Sequence, residues 1–69
     1  MTAKEKMKRL IEIQKKHHKA KLTLPDGDSY VVNLHNPADE EVLAYDVYAD
    51  GGALVTLFMR DIKDIEEVA

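Results

Sequence analysis

The sequence predicts an α+β fold that is mainly β: an N-terminal helix, then a five-stranded antiparallel sheet that closes as a small barrel, in one domain spanning 1–69. Three observations carry this. Apolar residues recur at spacings of three and four through the first turns, the period switches to two from Ala20, and clusters of Gly, Pro and Asp cut the remainder into short runs.

The helix is expected over 3–18. Thr2 and Glu5 form the T-x-x-E pattern of a capping box, and Ala3, Met7, Leu10 and Gln14 follow on one stripe that Ile11 and Ile13 widen. Lys15, Lys16 and Lys19 suit the negative end of its dipole. Such a helix is marginal alone, so its stripe needs a partner surface.

Strands are expected at about 20–24, 29–35, 42–49, 53–59 and 64–68. Ala20, Leu22 and Leu24 alternate with polar residues, and Pro25-Asp26-Gly27-Asp28 then turns the chain into a second alternating run, Tyr30, Val32, Leu34. Pro37 is expected to stop that strand. Leu43, Tyr45 and Val47 define a third, and Asp50-Gly51-Gly52 is another hairpin signal. The run Ala53–Met59 is broken only by Thr56 and reads as the most buried strand. Ile62 and Ile65 lie three apart, which suits a 3₁₀ turn before the last strand. The expected core is Met7, Leu10, Leu22, Leu24, Tyr30, Val32, Leu43, Tyr45, Val47, Val55, Leu57, Ile62 and Ile65. Val42, Ala44, Tyr48, Leu54 and Phe58 fall on the other faces and must meet the helix or form an interface.

Composition narrows function. Sixty-nine residues without cysteine exclude disulfides, thiolate nucleophiles and sulfur-ligated zinc, so apolar packing must hold the fold. A Lys/Glu-rich start without an apolar segment, and no apolar run near membrane length, point to a soluble, cytoplasmic protein. Net charge is −3, unevenly spread: residues 1–21 hold eight Lys/Arg and two Glu, whereas residues 22–69 hold two Lys/Arg and eleven Asp/Glu.

No candidate constellation completes a catalytic, cofactor or metal site. His17 and His18 are adjacent, so on a helix they diverge by about 100° instead of chelating together. His35 stands at the far end of strand two. Asp26 and Asp28, or Asp39, Glu40 and Glu41, read as solvated turns without calcium-loop spacing. Ser29 has no elbow motif around it. Gly27, Gly51 and Gly52 do not lead into a helix as a phosphate loop would. The expectation is therefore no enzyme, no cofactor and no metal. The basic helix is the one electrostatic footprint: Lys4, Lys8, Lys15, Lys16 and Lys19 are the candidate nucleic-acid contacts, against an acidic remainder that repels such a partner.

Leu22-Thr-Leu-Pro-Asp-Gly-Asp-Ser-Tyr30, with its strand–turn–strand pattern, and Gly52 to Val68 resemble the SH3-like small barrels, and with the leading helix the Sm/LSm group. The resemblance covers residues 2–68 in architecture. It implies an N-terminal helix on a five-stranded barrel, and edges able to pair with another copy as Sm-like rings do. It does not carry the family's RNA-binding residues: Asn36-Pro-Ala-Asp-Glu-Glu-Val42 stands where the base-binding loop falls, and Arg60-Asp61 where an Arg-Gly or Lys-His pair belongs. The capping box, clean hairpin signals, absent cysteine and regular patterning are choices a designer makes. The expected function is a non-catalytic scaffold, de novo designed and without evolved activity. The alternatives are an Sm-like nucleic-acid-binding module and a natural homo-oligomerising adaptor that self-associates through a sheet edge.

Overall fold

The computed structural model describes residues 1–39 and 41–69, with Asp50 described by its backbone alone. Glu40, in the middle of the expected acidic loop, lies outside the described residues. Helix α1 runs Ala3–Lys15, and its capping box is formed: Glu5 N–H donates to Thr2 Oγ1 at 3.2 Å, and Thr2 N–H to Glu5 Oε1 at 3.1 Å. The helix ends earlier than residue 18 because His17 turns left-handed, with φ 59°. His17 N–H donates to the Gln14 carbonyl at 2.9 Å and His18 N–H to that of Ile13 at 3.3 Å. That pair of bonds is a Schellman cap with histidine where glycine is usual.

Five strands follow: β1 Lys19–Thr23, β2 Ser29–Asp39, β3 Ala44–Tyr48, β4 Leu54–Phe58 and β5 Asp64–Val68. One 3₁₀ turn, Asp50–Gly52, joins β3 to β4, and a second, Met59–Asp61, precedes β5 as expected. All neighbours are antiparallel, in the order β4-β3-β2-β1-β5.

β2 organises the sheet. Ser29–Val32 pair with β1, and Asn33–Asp39 pair with β3 across two register shifts, between Leu34 and Asn36 and between Pro37 and Asp39. Pro37 therefore does not stop the strand; it sits opposite Tyr45. This half of β2 has lost its β1 neighbour and is bulged on both sides of the proline, a setting that tolerates a missing N–H.

The sheet is not closed. After β4 the chain passes through the 3₁₀ turn beneath α1, where Lys6 Nζ donates to the Met59 carbonyl at 3.4 Å and to that of Ile62. It then joins the free side of β1, and Lys63 N–H bonds the Thr23 carbonyl at 2.7 Å. β4 and β5 are left as two edges. The expected barrel is thus an open, bent sheet.

Helix α1 packs chiefly on β2, β1, β5 and the second 3₁₀ turn. The resulting core joins Met7, Leu10 and Ile13 of the helix to Ala20, Leu22, Val32, Tyr45, Val47, Met59, Ile62 and Ile65. Eight of the expected core residues are buried there: Met7, Leu10, Leu22, Val32, Tyr45, Val47, Ile62 and Ile65. Leu24, Leu43 and Leu57 are half-buried. Tyr30 and Val55 are exposed, at 49% and 37%. Both alternate toward the concave side, but at the end of the sheet beyond the helix's main contacts. β4, expected to be the most buried strand, leaves Val55 exposed for the same reason, and Leu54 and Thr56 exposed because they alternate to the outer face.

Candidate functional site

Basic residues of the N-terminal region serve either contacts within the fold or the rims of open grooves. Lys6 is structural, holding the carbonyls of the second 3₁₀ turn. Arg9 and Lys16 lie beside Glu67 on β5, at 3.7 and 3.4 Å, and His18 Nδ1 meets the other carboxylate oxygen at 2.5 Å. The His18 hydrogen bond, aided by the Lys16 charge, holds the Glu67 carboxyl below its ordinary value despite some desolvation. Lys16, one of the candidate nucleic-acid contacts, thus lies in a cluster around Glu67. Lys4 and Lys8 flank a shallow groove with Met7, Ile11 and Leu43, while Lys15 and Lys19 border another with Gln14, Asn33 and Leu34. The structure therefore spreads the five predicted lysines over separate surfaces.

A polar connection ties helix to sheet. The Tyr45 hydroxyl donates to Gln14 Oε1, and Gln14 Nε2 donates to the His35 carbonyl. Tyr45 has no exposed surface, and burial pushes its phenol up to about 12. His35 packs its ring edge-on against Tyr48, with centroids 5.2 Å apart. His17, His18 and His35 thus serve a helix cap, a hydrogen bond to a carboxylate and an aromatic contact. Among the described residues no three His, Asp or Glu side chains gather as metal ligands would. Asp26 accepts from the Asp28 N–H at 3.0 Å and Asp39 from the Glu41 N–H at 2.9 Å, both as turn-forming side chains. Ser29 meets Thr23 hydroxyl to hydroxyl at 3.1 Å. No helix among the described residues is long and apolar enough to cross a membrane.

The surface least accounted for by the fold itself is β4. It carries no charge, and the uncharged stretch extends from Gly51 to Met59 in a chain that is 33% charged. Its outer face shows Leu54, 53% exposed, beside Tyr48 of β3; Thr56 donates to Asp46 at 2.6 Å. Its inner face, Val55 and Leu57, borders an apolar cleft of about 400 Å³ with Leu22, Leu24, Tyr30 and Val32. Among the described residues, one edge of β4 has no strand beside it. An edge strand presents a row of free N–H and C=O groups, and proteins usually guard it with charges or proline. β5 fits that description, with Asp64, Glu66 and Glu67 in five residues; β4 does not.

The sequence pattern places β4 in the interior because a near-continuous apolar run reads equally as a buried strand, although it sets Leu54 and Phe58 on a face that must meet the helix or form an interface. The lack of charge was the available signal. No known protein family, curated protein or solved structure matches this chain.

Proposed function

We propose that this protein is a non-catalytic β-scaffold of the SH3-like, Sm-like kind whose working surface is the β4 edge and the apolar cleft beside it. The barrel-like reading is supported by the leading helix, the long bent β2 shared by two half-sheets, and the 3₁₀ step before β5. The functional reading rests on one observation: an uncharged edge strand stands next to an open apolar cleft. A strand added to β4 would gain backbone hydrogen bonds, and its alternate side chains would reach the cleft. An idle designed scaffold would guard this edge with charge, so β4 favours an adaptor that binds through it.

The test is an NMR titration with an end-capped peptide alternating valine and threonine and flanked by lysines. Amide shifts confined to residues 54–58 and the cleft are expected. Shifts centred on Lys4, Lys8, Lys15 and Lys19 upon adding an oligonucleotide, with none at β4 upon adding the peptide, would overturn the proposal in favour of nucleic-acid binding.

A further inference from the structure

We infer that the strand received by β4 is β4 of a second copy, in an antiparallel dimer centred on Thr56; this rests on the edge-binding reading above. The sequence of the strand, Leu54-Val-Thr-Leu-Phe58, is suited to itself. In an antiparallel pair about Thr56, Leu54 faces the partner's Phe58, Val55 faces the partner's Leu57, and the two Thr56 residues meet at the two-fold axis. This is the one register in which all five residues pair with a second β4, and inner-face residues remain opposite inner-face residues. Centring on Val55 or Leu57 leaves only three residues paired.

Charge selects among the edges. Two β5 strands would bring Asp64 and Glu66 of each copy together, and like charges facing each other oppose pairing. β4 has no such barrier. A dyad at β4 also brings a second Val55 and Leu57 to the mouth of each cleft, covering the concave apolar residues that α1 leaves exposed. The contact is closed, since a two-fold pair consumes both β4 edges and leaves only the two acidic β5 edges. A five-residue strand pair with the covered cleft buries roughly 1,000 Å² in total, the small end of specific interfaces. The dimer is correspondingly weak, with dissociation on the order of 10⁻⁵ to 10⁻³ M.

Sedimentation of the wild-type chain from micromolar to millimolar should show mass rising from 7.8 kDa toward twice that value. Thr56→Glu places like charges at the axis, with Asp46 beside each adding to the repulsion, and the association constant should fall by about tenfold or more. Amide spectra of the dilute variant check that its monomer is folded. Because the chain has no cysteine, Thr56→Cys provides a clean positional probe: facing residues across an antiparallel pair lie within disulfide reach. Oxidised Thr56→Cys should yield a covalent dimer and oxidised Glu66→Cys should not. A strict monomer at millimolar concentration overturns the dimer. So does preferential Thr56→Cys to Glu66→Cys cross-linking in a mixture, which would signify head-to-tail pairing of β4 with β5. If the protein stays monomeric while the valine-threonine peptide still shifts residues 54–58, self-pairing fails and the edge-binding reading stands. If neither occurs, both fail.

Discussion

Replacing Gln14 by leucine should destabilise the fold by about 1–3 kcal/mol, a large share of the margin available to so short a chain. Leucine keeps the helix propensity and approximate size of the residue but removes the acceptor that Tyr45 uses. Tyr45 has no exposed surface, so its hydroxyl would be left with a desolvation penalty and nothing to bond. Tyr45→Phe should cost less, about 0.5–1.5 kcal/mol, because half-buried Gln14 can turn its amide oxygen to water. Once Tyr45 is phenylalanine, Gln14→Leu no longer strands a hydroxyl. The double variant should therefore be more stable than the sum of the single effects implies, by about 1 kcal/mol. Urea denaturation followed by circular dichroism measures all four corners of the cycle. Thermal midpoints should move by about 4–8 °C per kcal/mol in a domain of this size. Wild-type stability in Gln14→Leu, or effects additive within about 0.3–0.5 kcal/mol, would refute the connection.

Other consequences follow from the same contacts. His17→Gly should stabilise by up to about 1 kcal/mol in a thermal melt, since relief of the left-handed backbone outweighs the flexibility gained by the unfolded chain. Leu10→Ala, with no exposed surface to start from, should cost about 2–5 kcal/mol by urea titration. Tyr45 is neutral in both folded and unfolded chains below pH 10. Between pH 10 and about 12 the unfolded chain binds fewer protons, so stability should fall as pH rises through that window, and Tyr45→Phe should flatten the decline. The Glu67 carboxyl should titrate below 4.5 by carbon NMR and move toward 4.5 in His18→Ala. Its stabilising effect is present above 4.5 and fades as pH falls through the folded value.

Local chemistry was legible wherever it decided the structure. Thr2 and Glu5 cap the helix as their spacing indicates, Gly27 takes the positive φ of its turn at 96°, and the 3₁₀ step falls before β5. Periodicity also identified Leu10, Leu22, Tyr45 and Ile62 as core. The differences arise where a neighbour, and not the pattern, sets the outcome. Histidine is not a usual left-handed cap, so nothing in Lys15-Lys16-His17-His18 marked the end of the helix. Pro37 continues its strand because that half of β2 has an empty side, a property of the pairing and not of the proline. Ile13, at the side of the apolar stripe, is buried where the helix packs on the sheet, and Met59 where the 3₁₀ turn meets the helix, while Tyr30 and Val55, with the correct alternation, are left at the uncovered end. Of the five candidate nucleic-acid lysines, Lys16 lies against Glu67, a partner 51 residues away in sequence that no local pattern announces.

Whether β4 is an open edge can be measured directly by amide exchange, residue by residue, in dilute solution. Along β4 protection should alternate, with the N–H groups bonded to β3 exchanging slowly and those facing away exchanging at nearly free rates. Raising the concentration should slow the second set selectively. Uniform protection of Leu54–Phe58 in dilute monomer would mean that the edge is already covered, and would contradict the open edge on which the proposed function depends.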